Sequence, residues 1–464
     1  MTRADIIQQA CDRFDRGEFK HILARRVACA SESQDPHSRA ILRAYLDDEI
    51  RPSLEAMGFT VTLVEHPLDP PIPFLMAERI EHPDLPTLLS YGHGDVVFGD
   101  GENWRQGLHP WTLAEEGDRW YGRGSADNKG QHTINLMALE QIYQARGSQL
   151  GFNCKLLFEM GEEIGSPGLA AICRRYKPQL AADIFIASDG PRLNADRPTL
   201  FLGSRGCINF RLSIRARNQA YHSGNWGGLL SNPATQLANA ISSLVDGRGR
   251  MRIETLLPPP LTPSMRRILS SVAPGGSSGD PEIDRDWGAE GLTPAERLFG
   301  WNTLEVLSFI AGNPDKPVNA IPADATALCQ LRFVVGTDWR RLTEHLRAHL
   351  DKHGCANVDI EMLSASPATR FDPDDPLVNR TLAVMRQISG KPPALLPNLG
   401  GSLPNDVFAD ILGLPTLWIP HSYPACGQHA VNEHLLKSVA REGLAIMTGL
   451  LWELGEPGWA SAGK

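Results

Sequence analysis

Short, nearly continuous apolar runs that end in polar loops constrain this chain more than any other feature. Residues 86–91 (PTLLSY), 154–160 (CKLLFEM) and 183–188 (DIFIAS) lack the in-out alternation of a half-exposed sheet, so they read as strands covered on both faces. Residues 130–145 carry Ile134, Met137, Ala138 and Ile142 at helical spacing. The expectation is an α/β domain with a mostly parallel sheet.

From about Cys207 the order changes. A strand (208–216) precedes a helix with Asn232 as its cap and Pro233 in its first turn. After a long loop come strands at 304–312 and 325–336, a helix opening at Thr337-Asp338 and stopping at Gly354, and a strand at 357–363. That β-α-β-β-α-β order is ferredoxin-like, with one open helical face and one sheet edge. The α/β pattern then returns, ending with a strand at 416–420 and a helix from about Glu433. The economical reading is one discontinuous α/β domain, residues 1–206 and 366–464, with an inserted domain at 207–365. Residues 256–300, rich in Pro, Gly and Ser, form a long excursion within the insert.

Composition narrows the class of partner. The chain has 464 residues, 42% hydrophobic and 21% charged, with a net charge of 45 − 54 = −9. An acidic surface argues against nucleic acid or an anionic membrane as a bulk partner. No window approaches the ~18 apolar residues of a membrane span, and residues 1–10 lack a leader-like apolar stretch, so a cytoplasmic location is expected. Eight cysteines without a C-x-x-C pair read as reduced, mostly buried thiols.

Chemistry concentrates where strands end. His93 and Asp95 follow the first strand in YGHGDVV, and Asp127 lies in YGRGSADNKG just before a helix. Glu162 and Glu163 follow the second strand in GEEIGSPG, Asp189 ends the third in SDG, and His429 follows the last in GQHAVNE. Open α/β sheets place ligands at the carboxyl ends of their strands. Carboxylates converging there without basic partners repel one another unless a cation compensates. Two histidines and three carboxylates without cysteine suit Zn2+ or a similar divalent ion, and one shared carboxylate would make a co-catalytic pair.

Other signals carry less. His345, His349 and His353, interleaved with Arg341, Arg347 and Lys352, read as a polar helix stripe. The G-x-S-x-G string at 275–279 has no strand before it and no helix after it. Cys426 lies three residues before His429 but outside the set of histidines and carboxylates. No nucleotide-binding fingerprint is present.

In these motifs the sequence resembles the co-catalytic zinc hydrolases that include aminoacylase, carboxypeptidase G, acetylornithine deacetylase, succinyl-diaminopimelate desuccinylase and carnosine dipeptidase. The resemblance covers nearly the whole chain, inserted lid included. It implies two Zn2+ per subunit, with Co2+ or Mn2+ as substitutes. His93 and Asp189 would hold one ion, Glu163 and His429 the other, and Asp127 would bridge them; the peptide bond after the bridging residue, Asp127–Asn128, would be cis. Asp95 would fix the His93 tautomer, and Glu162 would act as general base.

The same resemblance bears on substrate and assembly. His222 in YHSG matches a lid histidine that reaches the partner subunit's site and polarises the scissile carbonyl. Arg332 and Asn319 match lid residues near a substrate carboxylate, and Gly400, Gly401 and Ser402 of GGSLP match the loop that cradles it. The implied activity is hydrolysis of an amide next to a free carboxylate, in a dipeptide or N-acyl amino acid, by a homodimer joined through the lid. Asp at position 189 and the GGSLP run look closer to the dipeptidase branch. A deacylase or desuccinylase, a ureido or aryl-amide hydrolase, and a catalytically inactive binding protein on the same fold stay open.

Overall fold

The computed structural model of the chain describes residues 1–65, 71–275 and 280–458. Most of the G-x-S-x-G string, residues 276–279, lies outside the described residues.

The three apolar runs form adjacent strands of one eight-stranded sheet. Its spatial order is Thr60–Glu65, Pro73–Arg79, Asn153–Glu159, Thr87–His93, Ile184–Ala187, Thr416–Trp418, Thr199–Phe201, Ala394–Leu396. The central strands Asn153–Glu159, Thr87–His93, Ile184–Ala187 and Thr416–Trp418 run parallel, and the first two strands add an antiparallel edge. Residues of the central strands are almost all buried, which explains why their sequences lack alternation. The Lys129–Ala145 helix covers one face and is itself covered by Lys437–Leu454.

The carboxyl-terminal helix starts at Lys437, not near Glu433. Residues His434–Leu436 instead form a strand paired with Arg119–Tyr121. Asp118 supplies the helix start from across that pairing, accepting from the backbone N–H groups of Lys437 and Ser438.

A second sheet of four antiparallel strands has the order Thr303–Ile310, Asp324–Phe333, Gly206–Arg215, Asp359–Ser366. Its two central strands, Asp324–Phe333 and Gly206–Arg215, alternate buried and half-buried residues, and the Pro233–Leu244 and Leu342–Lys352 helices cover one face. Asn232 caps the first of these helices by accepting from the Ala234 N–H. This sheet and its helices have their own hydrophobic cluster, separate from the large one.

The excursion divides between the two clusters in a way that chain order does not suggest. Ile253 and Leu256 lie in the small cluster, but Met265, Leu269, Ala295 and Phe299 are buried in the large one. The short helices Pro263–Leu269 and Pro294–Gly300 therefore pack on the large body. An Arg267–Asp374 ion pair and a hydrogen bond from Arg197 to the Ser271 carbonyl tie them there. The chain thus crosses between the two clusters four times: before Ile208, after Leu256, before Leu304 and after Val358. Asn302 fixes the third crossing, donating to the Leu256 carbonyl and to Thr337 and accepting from the Val334 N–H.

Among the described residues all eight cysteines are unpaired, and no helix is long and apolar enough to cross a membrane.

Candidate active site

Parallel strands end side by side, so the residues that follow them are brought together. His93 closes its strand, Glu162 and Glu163 form a single 3-10 turn after Asn153–Glu159, and Asp189 lies just past Ile184–Ala187. Asp127 precedes Asn128, the N-cap of Lys129–Ala145, through a peptide bond that is cis. His429 sits in the loop after Thr416–Trp418 with φ 60°, a left-handed value rare for a residue with a Cβ.

His93, Asp127 and Asp189 form one cluster of side-chain donors, and Asp127, Glu163 and His429 a second. Within each, one donor atom per residue lies within 4.8 Å of the others. His93 Nε2 is 3.2 Å from Asp127 Oδ1 and 3.5 Å from Asp189 Oδ2. His429 Nε2 is 3.2 Å from Asp127 Oδ2 and 3.0 Å from Glu163 Oε2. Asp127 therefore offers one oxygen to each cluster. Glu162 belongs to neither cluster but lines the same cavity.

Both groups of donors could hold a metal ion. His93 Nε2 and Asp189 Oδ2 are buried without a hydrogen-bond partner, a costly state unless something else binds them. Lys129, the nearest ammonium in sequence, turns away and donates to the Cys29 carbonyl. The donors are nitrogen and oxygen only, with one carboxylate shared, as hard-to-borderline divalent ions require.

The field of the cluster shows in its protonation. Burial raises the Glu162 carboxyl well above its ordinary range, and the carboxylates of Asp189, Glu163 and Asp127 add to the rise against the opposing pull of His93. Burial and Asp127 likewise push Glu163 up to about 7. His429, hydrogen-bonded to Asp127 and Glu163, is raised to about 11. Burial opposes charge on His93, but the nearby carboxylates of Asp127, Asp189 and Asp95 outweigh it and hold the imidazole well above its ordinary value. Shifts of this kind are those that closely packed carboxylates and imidazoles show when no other cation balances their charge.

Two carboxylates position the cluster from behind. His93 Nδ1 lies 3.1 Å from the Asp95 carbonyl oxygen and 3.4 Å from its Oδ1. The two Asp95 carboxylate oxygens also accept from the backbone N–H groups of Glu162 and Glu163, each at 3.1 Å, so one side chain orients both the imidazole and the glutamate turn. Sequence reasoning did not single out Glu433. Its buried carboxylate accepts from Arg123 and from the N–H groups of Gly124, Ala126 and Asp127 at 2.9 to 3.0 Å, clamping the loop that presents Asp127. Its only sequence signal is its place four residues after His429.

A cavity of about 920 Å³ opens from Asp127, Glu162, Asp189 and His429 and extends past Gly400, Gly401 and Ser402. Arg332 meets that loop, donating to Ser402 Oγ at 2.9 Å, and Ser402 in turn donates to the Arg205 carbonyl. Arg205, which sequence reasoning also passed over, lines the cavity with a guanidinium whose Nε is buried without a partner. Burial, then the neighbouring Arg332, lowers its pKa to about 10.

His222 and Asn319 are not among the residues lining this cavity. His222 lies on a two-stranded ribbon, Tyr221–His222 paired with Ala320–Ile321, Asn319 directly precedes its second strand, and both are exposed. The 345, 349 and 353 histidines engage Asp338, the Ser243 carbonyl and the His349 carbonyl respectively, not one another's open nitrogens in a metal-like group. Cys426 is buried outside both donor clusters.

Residues 89–453 match the profile of the family described as Peptidase family M20/M25/M40. The Beta-Ala-His dipeptidase of Rattus norvegicus is 27% identical over 94% of this chain and 93% of its own. The Cys-Gly metallodipeptidase DUG1 of Candida albicans is 26% identical over 95% of each. In fold, the chain superposes on the solved dipeptidase Dug1p from Saccharomyces cerevisiae with a TM-score of 0.78 at 22% identity, covering 98% of this chain and 100% of that one.

Proposed function

The chain belongs to Peptidase family M20/M25/M40, and from that membership we propose that it is a dipeptidase or N-acyl-amino-acid hydrolase acting on an amide next to a free carboxylate. The observation that carries this reading is the pair of donor clusters sharing Asp127, which open into one cavity with Glu162 and Ser402, the latter held by Arg332. The names of the relatives, dipeptidases for Beta-Ala-His and Cys-Gly, favour the dipeptide over other amides.

His93 and Asp189 would hold one cation, Glu163 and His429 the second, and Asp127 both; Zn2+ is the ion that best suits this donor set. When bound, the pair supplies Lewis-acid polarisation of the amide carbonyl and acidifies a water. Glu162 stands beside the clusters without belonging to them, the place of a base that takes the proton from the attacking water and returns it to the leaving amine. Ser402 and the Gly400–Gly401 backbone, with Arg332 behind Ser402, receive the substrate carboxylate.

The four-stranded unit within residues 207–365 serves as a lid and dimerisation domain in this reading. His222 is exposed and absent from its own chain's cavity wall, which fits a role at the oxyanion of a partner's site, with Asn319 beside it. The free cysteines fit a reducing compartment such as the cytoplasm.

A screen of dipeptides against N-acetyl, N-succinyl and N-carbamoyl amino acids, with added Zn2+, Co2+ or Mn2+, tests the activity. Turnover of dipeptides that a chelator abolishes is the expected result; release of carbon dioxide and ammonia, or of an aryl amine, would move the reading to the ureido or aryl-amide class. Glu162→Ala is expected to lower kcat by at least about a hundredfold while metal content stays at the wild-type level. Retained turnover would remove the base assignment.

A further inference from the structure

The cavity has one wall that the hydrolytic machinery does not use. Ile283, Trp287 and Leu298, all from the excursion, are 43%, 49% and 37% exposed, and they line it together with Phe299 and Leu399. Large apolar side chains gathered on a cavity wall and left exposed among the described residues mark a binding surface.

The wall is built. The Pro294–Gly300 helix opens with a complete capping box between Thr293 and Glu296, and Glu296 also pairs with Arg266 of the neighbouring helix. Arg297 donates to the carbonyls of Ala289, Arg285 and Trp287, fixing the loop before the helix. The Trp287 ring lies over Gly249, where a Cβ would come within 2.4 Å of it. With Ala295 and Phe299 buried in the large core, Leu298 is left facing the cavity.

Its position relative to the two substrate anchors is defined. A Cβ at Gly400 would stand 3.5 Å from Leu298 Cδ1 and 3.8 Å from Phe299 Cε1, so the helix lies against the proposed carboxylate loop. A Cβ at Gly190, next to Asp189, would stand 3.1 Å from Leu399 Cδ2. Leu399 thus spans from the donor clusters to Gly400. In a substrate whose carbonyl sits at the clusters and whose carboxylate sits at Ser402, the carbon between the amide and the carboxylate passes this wall.

We propose that Ile283, Trp287, Leu298, Phe299 and Leu399 form a specificity pocket for the side chain of the residue bearing the free carboxylate, selecting large apolar side chains. This rests on the amide-hydrolase reading above. A Leu or Phe side chain loses water against the wall, whereas Gly leaves it uncovered and a charged side chain finds no partner among these residues.

The test uses the full chain, metal-supplemented, and two dipeptide series. In one the N-terminal residue is Ala and the C-terminal residue is Gly, Ala, Leu, Phe or Asp; in the other the C-terminal residue is Gly and the N-terminal residue varies in the same way. Expected is a kcat/KM at least about tenfold higher for C-terminal Leu and Phe than for Gly, with Asp lowest. Leu298→Asp lowers the Phe-to-Gly ratio at least about fivefold, and Leu298→Ala lowers it in the same direction without introducing a charge. A flat profile across the first series, or a preference that follows only the N-terminal residue, overturns the pocket while leaving the hydrolase reading intact. Cleavage of no dipeptide and no N-acyl amino acid overturns the hydrolase reading, and this subsite falls with it.

Discussion

Glu433 shows how much of a site depends on one side chain that touches no substrate. Its carboxylate accepts from one guanidinium and three backbone N–H groups, including that of Asp127, the residue common to both donor clusters. Glu433→Gln keeps the shape but turns one acceptor into a donor facing other donors. The expected result is a ten- to hundredfold loss of metal affinity or kcat, read from metal content after dialysis alongside turnover; wild-type values in both would remove the positioning role. Protonation gives a second expectation. With Glu163 raised to about 7 and His429 to about 11, the metal-free cluster holds protons at neutral pH. A cation must displace them, so apparent affinity should fall as pH falls, and loading should release protons. Calorimetry in buffers of different ionisation enthalpy reads that release directly; a buffer-independent heat would contradict it. The residues brought together in the two clusters were legible in the sequence because each lies in a loop that follows a strand or leads into a helix, even His429, which comes eleven residues after Trp418. Glu433 was not, because its donors lie some 310 residues away along the chain.

At the scale of elements, the long apolar strands were legible and the short ones were not. Residues 86–91, 154–160 and 183–188 announced themselves because burial on both faces leaves a continuous apolar run. The three-residue His434–Leu436 strand is too short to show any period, so the sequence places the start of the last helix near Glu433 and not at Lys437. The central Thr416–Trp418 strand has a stricter dependence on one residue. Trp418 is fully buried, with rings of Tyr91, Phe185, Phe201 and Phe408 around it, and donates its indole N–H to Asn405. Trp418→Ala should cost about 3–5 kcal/mol through the lost contacts and the cavity left behind. A thermal or denaturant unfolding curve displaced by much less than this would mean that the surrounding rings collapse into the gap.

For the whole molecule, the Thr303–Ile310 strand is an open edge of the small sheet that exposes Leu307, Phe309 and Ile310. Open apolar edges favour pairing with another chain, and equilibrium sedimentation is expected to give twice the chain mass of 50.9 kDa; a monomer at micromolar concentration would leave His222 without a partner site. Which core the excursion joins could not be read from chain order, since Pro, Gly and Ser composition marks a connection without marking what it packs on. The four crossings between the clusters make the small unit inseparable by simple excision. A fragment cut at 207 and 365 would carry Met265, Leu269 and Phe299 away from the body that buries them, and would present that surface to solvent as an adhesive patch. Only a fragment with the 263–300 stretch replaced by a short linker would keep the four strands and two helices while leaving the large core's residues where they belong.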